Sequence, residues 1–164
     1  MPSFGILTSS DLGAQGQRQD ISGPRIRELL TAAGFETRRY EVVPDEQAIL
    51  EERLRRWADE DGLDLIVTTG GTGLTRRDVT PEATRAVVHR EVPGMAEAMR
   101  IQTLKHTPLA MVSRAVVGVR GRTLIINLPG SPRAVEECLE VVLPAIPHAL
   151  EMLKEHPPAH EAQP

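Results

Sequence analysis

Strand-like segments alternate with helical patterns in the first 70 residues, and this alternation limits the fold more than any other feature of the sequence. Segments 3–8, 35–43 and 63–69 have the residue pattern of strands. Between them, apolar residues recur at helical spacing: Ile26, Leu29, Leu30 and Ala33, then Leu50, Leu54, Trp57 and Ala58. A βαβαβ order implies a parallel sheet with helices on both faces. The sequence therefore predicts an α/β fold, a three-layer α/β/α sandwich around a mostly parallel sheet.

The second half of the chain contains two marked helix starts and one predicted strand pair. Thr80 and Ser131 are each followed by proline, which predicts a helix N-cap at both positions. Segments 116–119 and 123–127 have the composition of two neighbouring strands joined by a turn. Cys138 falls on the apolar stripe of the helix that follows Ser131, so we expect its thiol in the core.

Composition and charge limit the partners that the chain can bind. Aromatic residues make up 2% of the sequence and the formal net charge is −4, so a nucleic-acid surface is not expected. No apolar run reaches the roughly 18–20 residues that span a membrane, and the first residues lack a signal-peptide pattern. The single cysteine excludes an intramolecular disulfide. We expect a cytoplasmic protein without nucleic-acid or membrane partners, with one domain over residues 1–155 and a disordered tail over 156–164.

The glycine-rich segment after the third predicted strand has the composition of a phosphate-binding loop. It reads GGTG at residues 70–73, and RRD follows at residues 76–78 before the next helix. Glycine lets backbone N–H groups approach a phosphate without a β-carbon in the way. The spacing matches neither the P-loop GxxxxGK[ST] nor the dinucleotide fingerprint GxGxxG. A tight turn explains the glycines equally well.

Polar and charged side chains follow the predicted strands where each one ends. Ser10 and Asp11 follow the first strand, Asp45 follows the second, and Asp78 lies after the glycine loop. Ligands of open α/β sheets bind outside the carboxyl ends of the strands, so we expect these residues to meet. Two such carboxylates can hold Mg²⁺ together with substrate phosphates and water. From the residues alone, Asp45 can equally be a helix N-cap, Asp78 a turn residue, and Arg77 either a phosphate contact or a solvated side chain.

Longer motifs carry a family resemblance that covers residues 4–153. The most extended is TTGGTGLTRRDVTPE at residues 68–82. It is accompanied by SSD at 9–11, PDEQ at 44–47, VPG at 92–94, SR at 113–114 and NLPGSP at 127–132. On these motifs the chain resembles the Mog/MoaB-like molybdopterin-binding proteins of molybdenum-cofactor biosynthesis. It departs from the family at Leu74, where a proline often follows GGTG.

The resemblance implies an activity, an assembly and a site. Its adenylylating members activate molybdopterin with Mg-ATP and release pyrophosphate, and proteins of this type are α/β/α sandwiches that commonly form trimers. Asp45 and Asp78 match the two essential aspartates, so we predict both as catalytic residues and Mg²⁺ ligands. With the strand-end residues added, the predicted substrate contacts are Ser10, Asp11, Gly70, Gly71, Thr72, Gly73, Arg77, Gly130 and Ser131. We expect molybdopterin and ATP as substrates, a homotrimer, and the molybdate-insertion protein of the pathway as a partner.

Two other functions remain open at this point. A non-catalytic relative would carry molybdopterin or assist assembly without consuming ATP. A nucleotide-processing hydrolase of the competence-damage-like type uses the same kind of domain, but such proteins tend to carry an acidic residue at the position of Arg77 and a further domain. The presence of both Asp45 and Asp78 favours the adenylyltransferase.

Overall fold

A six-stranded sheet with helices on both faces forms the frame of the protein. The computed structural model describes residues 1–155. The strands are β1 (Ser3–Ser9), β2 (Glu36–Val43), β3 (Leu65–Thr69), β4 (Arg90–Glu91), β5 (Val117–Arg120) and β6 (Thr123–Leu128). The helices are α1 (Asp11–Ala14), α2 (Ser22–Ala32), α3 (Gln47–Asp59), α4 (Thr80–Val87), α5 (Pro93–Thr103), α6 (Pro132–Val142) and α7 (Ile146–Glu155), with 3₁₀ turns at Pro108–Val112 and Leu143–Ala145. This architecture confirms the predicted α/β fold.

Strand order brings four carboxyl ends to one edge of the sheet. The order is β2-β1-β3-β6-β5-β4, with parallel pairing from β2 to β6 and antiparallel pairing beyond. In the register, Ser9 lies opposite Val43, and Thr69 lies opposite Leu128. The loops that leave these four strands therefore start side by side, as the βαβ pattern predicts.

Apolar side chains form a separate core on each face of the sheet. One core joins the sheet to α2, α5, α6 and α7 and contains Ile26, Leu30, Met99, Val135, Leu139 and Ile146. The other joins it to α3 and α4 and contains Leu50, Leu54, Trp57 and Val87. Cys138 is buried in the first core, as predicted, and burial raises the pKa of its thiol to about 11. The inner strands β1, β3 and β6 are buried along their whole length, as expected for parallel strands between two helical layers.

Three local features differ from the sequence-based expectation. The predicted N-cap at Thr80 is wrong: Val79 occupies the N-cap position, and the Thr80 hydroxyl donates to the Gly70 carbonyl at 3.0 Å. The polar segment after β1 contains the one-turn helix α1, because Ser10 caps it through the Gly13 N–H. The break predicted at residues 89–92 holds the two-residue edge strand β4, which pairs with β5.

The tail predicted over residues 156–164 lies outside the described residues. Between residues 1 and 155 there is no helix with both the length and the apolar character needed to cross a bilayer.

Candidate active site

A cleft of about 670 Å³ opens at the carboxyl ends of the parallel strands. The loops after β1, β2, β3 and β6 all contribute to its lining. Seven of the residues predicted from the sequence line it: Ser10, Asp45, Gly70, Gly71, Asp78, Gly130 and Ser131. The expected meeting of distant strand ends is therefore present. Asp11, Thr72, Gly73 and Arg77 lie in the segments that border the cleft.

Asp45 is held in place by the loop that follows β1. Its Oδ1 accepts from the Ser9 hydroxyl at 2.6 Å, and its Oδ2 accepts from the Asp11 N–H at 2.9 Å. Asp11 returns the contact, because its Oδ1 accepts from the Asp45 N–H at 3.0 Å. The N-cap interpretation of Asp45 does not apply, since Glu46 occupies that position of α3. Two donors thus fix a carboxylate on the wall of the cleft.

Asp11 and Arg77 pair with each other at the rim of this cleft. Arg77 Nε and Nη2 donate to Asp11 Oδ2 and Oδ1 at 3.0 and 2.9 Å. These bonds, together with the Asp45 N–H, hold the pKa of the Asp11 carboxyl below its usual range. The pair joins the loop after β1 to the loop after β3.

The first two glycines of the loop after β3 have conformations that exclude a side chain. Gly70 and Gly71 have φ values of 87° and 70°. A β-carbon on Gly70 would lie 2.4 Å from the Ser9 carbonyl oxygen, and one on Gly71 would lie 2.3 Å from Thr80 Oγ1. Only glycine satisfies both the positive φ and the close packing. The sequence GG at these positions is therefore required by the shape of the loop.

Asp78 closes the same loop through a turn of its own. Its Oδ2 accepts from the Thr75 N–H and from the Thr75 hydroxyl, both at 2.9 Å. Gly73 packs against this carboxylate, where a β-carbon would lie 2.8 Å from Oδ2. Thr72, between the glycines, is buried. The turn interpretation of Asp78 is correct as local structure, and its carboxylate also lines the cleft.

Two helix N-termini face the cleft. Ile21 and Ser22 at the start of α2, and Ser131 and Pro132 at the start of α6, belong to its lining. Ser131 is the predicted N-cap of α6, and its Oγ accepts from the Ala134 N–H at 3.2 Å. Helix N-termini carry partial positive charge and attract anions. The arrangement suits a phosphate-bearing ligand.

Asp20 is a third carboxylate in the cleft lining that the sequence analysis missed. Its Oδ2 accepts from the Thr8 and Tyr40 hydroxyls, and its Oδ1 accepts from the Gly23 N–H at 3.1 Å. Burial, followed by the hydrogen bond to Asp20, raises the pKa of Tyr40. Ile21 is the N-cap residue of α2, and Asp20 binds the first turn of that helix through the Gly23 N–H, so an acid shortly before a predicted helix is the signal that points to it. Its contact with Tyr40 crosses to β2 and has no sequence signature.

A comparison of the whole chain with known proteins places these features in a family. Residues 5–148 match the family model described as "Probable molybdopterin binding domain". The chain belongs to this family. The molybdopterin adenylyltransferase of Helicobacter pylori strain J99 is 44% identical over 152 residues, which cover 92% of this chain and 86% of that protein. The molybdopterin adenylyltransferase of Escherichia coli K12 is 46% identical over 144 residues, which cover 85% of this chain and 72% of that protein.

Solved structures agree with the family assignment. The molybdopterin biosynthesis enzyme MoaB of Thermus thermophilus superposes with a TM-score of 0.90 at 57% identity, covering 96% of this chain and 99% of that one. The molybdopterin biosynthesis Mog protein of Mycobacterium ulcerans gives a TM-score of 0.88 at 41% identity, covering 93% and 99%. The resemblance to Mog/MoaB-like proteins predicted from the motifs is confirmed.

The charged side chains that line the cleft of this molybdopterin-binding domain are mostly acidic. Asp20, Asp45 and Asp78 line it with Arg18 as a cation. Residues 1–155 contain no group of three or more His, Cys, Asp or Glu side chains that could hold a metal by themselves. Two carboxylates in one cleft fit Mg²⁺, which takes its remaining ligands from phosphates and water. Asp45 and Asp78 therefore suit a magnesium ion that arrives with a phosphate ligand.

Proposed function

We propose that this protein is a molybdopterin adenylyltransferase, which transfers AMP from ATP to the terminal phosphate of molybdopterin. The supporting observation is the meeting of Asp45, Asp78 and the glycine loop in one cleft, beside two helix N-termini. Relatives at 44% and 46% identity are named for this activity. The site residues predicted from the sequence are part of this proposal.

The proposed reaction is a displacement at phosphorus. A terminal phosphate oxygen of molybdopterin bonds to the α-phosphorus of ATP, and the bond from that phosphorus to the bridging oxygen breaks, so that pyrophosphate leaves. In reactions of this type the protein contributes mainly position and charge stabilisation. The glycine loop and the N-terminus of α6 hold phosphate oxygens, while Asp11 and Ser9 keep the Asp45 carboxylate in one orientation.

Magnesium is the proposed cofactor, with Asp45 and Asp78 as its protein ligands. When bound, it would neutralise phosphate charge during the displacement. The lining supports this assignment, because a triphosphate brought against three carboxylates and one arginine needs additional positive charge.

A homotrimer is the proposed assembly, and the surface between residues 101 and 112 supports contacts between copies. Five of the ten exposed large apolar side chains in residues 1–155 lie there: Ile101, Leu104, Leu109, Met111 and Val112. Clusters of this kind mark interaction sites on soluble proteins. Binding of the molybdate-insertion protein, a location in the cytoplasm and the extent of the domain over residues 1–155 stay predictions from the sequence.

Incubation with purified molybdopterin, ATP and Mg²⁺ tests the activity directly. We expect AMP-linked molybdopterin and pyrophosphate, resolved by chromatography. Asp45→Asn and Asp78→Asn should each lower the rate by about 100-fold or more, because a charged group at the reacting phosphates is lost. Asp64→Asn is the matched control. Asp64 accepts hydrogen bonds from the Ser3 N–H and hydroxyl at the amino ends of the strands, away from the cleft.

Two other results would contradict the proposal in distinct ways. Molybdopterin binding without ATP consumption would indicate a carrier. ATP breakdown without molybdopterin would indicate a hydrolase. Equal rates for the wild type and Asp78→Asn would remove Asp78 from the mechanism.

A further inference from the structure

Arg114 contacts the loop after β3 from a distant part of the chain. It follows the 3₁₀ turn Pro108–Val112 and belongs to the SR motif of the sequence. Its Nε donates to the Gly73 carbonyl at 2.7 Å, and its Nη2 donates to the Asp78 carbonyl at 2.8 Å. Its main-chain N–H donates to the Thr72 carbonyl at 3.0 Å.

The same guanidinium also binds the helix that follows the loop. Arg114 Nη1 forms an ion pair with Glu82 in the first turn of α4. This contact holds the pKa of the Glu82 carboxyl below its usual range. The other oxygen of Glu82, Oε2, is buried and has no hydrogen-bond partner among residues 1–155. Arg114 is therefore the main partner of the Glu82 carboxylate, to which Arg85 adds a weaker attraction.

Arg114 therefore contacts residues 72–78 of the loop after β3 at both ends, and it also contacts the helix α4 that follows. The loop has other ties, since Thr80 bonds to Gly70 and Gly71, and Asp78 bonds to Thr75. Those ties are local, and the Arg77–Asp11 pair joins the loop to the segment after β1. Arg114 is the side chain that binds main-chain carbonyls of the loop itself, at Gly73 and Asp78, from the segment that leads into β5. The side chain of Arg114 is 32% exposed, so most of it is shielded from solvent.

We propose that Arg114 is a positioning residue that holds residues 72–78 so that the Asp78 carboxylate and the glycine loop face the phosphates of the substrate. The inference rests on the proposed adenylyl transfer for its kinetic consequence, but the position of the loop can be measured without activity. Lysine cannot replace Arg114, because a single ammonium lacks the planar set of donors that reaches two carbonyls and a carboxylate at once.

Kinetics and hydrogen–deuterium exchange of Arg114→Ala and Arg114→Lys test this role. We expect kcat to fall by about 10–100-fold for the alanine variant, because misplacement of the groups that position the phosphates costs rate. The lysine variant should lose less, since it keeps the charge beside Glu82. Amides of residues 70–82 should exchange faster in both variants.

Arg120→Ala is the matched control. Arg120 binds the Asp59 carboxylate with two nitrogens and the Val87 carbonyl with a third, so it makes contacts of the same kind away from the cleft. Its removal should lower the melting temperature and leave kcat and the exchange of residues 70–82 unchanged. If Arg114→Ala behaves in the same way, the role of Arg114 is only structural and the inference is wrong.

The exchange measurement separates this inference from the proposed function. If the wild type makes no adenylylated product, the proposed function fails, and faster exchange confined to residues 70–82 still supports Arg114 as the anchor of the loop. If the wild type is active and Arg114→Ala retains both its kcat and its exchange pattern, the inference fails alone. If Arg114→Ala does not fold, the same two readouts on Arg114→Lys decide the question.

Discussion

Asp11 and Asp45 each accept a hydrogen bond from the main-chain N–H of the other. These two bonds join the loop after β1 to the loop after β2. The Ser9 hydroxyl adds a third hydrogen bond, to the Asp45 carboxylate. The Asp45 carboxylate is therefore oriented before any ligand binds. Arg77 extends the arrangement, because it holds Asp11 from the loop after β3.

The Asp11–Arg77 pair predicts a measurable change in the pKa of Asp11. Replacement of Arg77 by glutamine should raise the Asp11 pKa toward its ordinary value of about 3.9, because the hydrogen bonds that favour the carboxylate are lost. The lowered pKa means that the pair stabilises the fold above the pKa of Asp11 in the unfolded chain. That contribution is lost as the pH falls through the lowered folded value, below about pH 4. Carboxyl ¹³C NMR titration measures the pKa directly.

Arg76→Gln serves as the control for this titration, because the structure pairs Asp11 with Arg77 and not with its neighbour. It should leave the Asp11 pKa in place. An unchanged Asp11 pKa in Arg77→Gln would show that the pairing does not persist in solution.

At the residue scale, the sequence predicts the position of a residue where that residue lies at or just after the end of a strand. Ser10, Asp45 and Gly70 are brought to the cleft by the ends of β1, β2 and β3, so the βαβ pattern alone places them. Contacts that a side chain makes with a distant part of the chain leave no periodic pattern in the sequence. The bonds from Arg114 to Gly73 and from Tyr40 to Asp20 belong to this second class.

At the scale of elements, Asn127 of β6 connects two strands, one helix and the segment before β5. Its Nδ2 donates to the Thr68 and Thr84 hydroxyls at 3.0 and 2.9 Å, and its Oδ1 accepts from the Val116 N–H at 3.0 Å. The side chain is fully buried. This network fixes α4 against the sheet just below the cleft.

Asn127→Ala should lower the free energy of unfolding by about 2–3 kcal/mol, because three buried partners lose their hydrogen bond at once. Urea denaturation followed by circular dichroism measures the loss. Thr123→Val is the control on the same strand: it removes one bond, from the Thr123 hydroxyl to the Leu63 carbonyl, and should cost about 1 kcal/mol. Equal losses in the two variants would show that the network adds nothing beyond a single bond.

Long elements were predictable from the sequence and short ones were not. The stripes of α2, α3 and α6 are spaced at i, i+3, i+4 and therefore mark helices without further information. Helix α1 has four residues and β4 has two, too few to show a period. Thr80 stands where the sequence predicts an N-cap, yet its hydroxyl donates a hydrogen bond to the Gly70 carbonyl, and this contact exists only in the folded loop.

At the scale of the whole molecule, the apolar surface between residues 101 and 112 predicts how copies associate. Light scattering on a size-exclusion column should give three times the mass of one chain. Leu109→Glu combined with Met111→Glu should shift the protein to monomers, because charges placed in an apolar contact lose hydration without a partner. Leu109 and Met111 are 70% and 68% exposed in the single chain, so the change should not unfold it.

Met152→Glu is the matched control for this experiment, since Met152 is an exposed methionine of α7 outside the apolar surface. It should leave the assembly intact. A trimer that survives the double substitution would place the contact between copies elsewhere, and a monomeric wild type would remove the homotrimer from the proposal.

The order of strands in the sheet also affects how the chain can fold during translation. β3 lies between β1 and β6, and β6 begins only at Thr123, more than fifty residues after β3 ends at Thr69. Until the ribosome has released β6, one side of an apolar strand has no neighbour to pair with. Uncovered strand edges recruit other chains. We therefore expect a stage of synthesis in which the free edge of β3 is open to contacts with other chains, and that stage ends when β6 inserts beside β3.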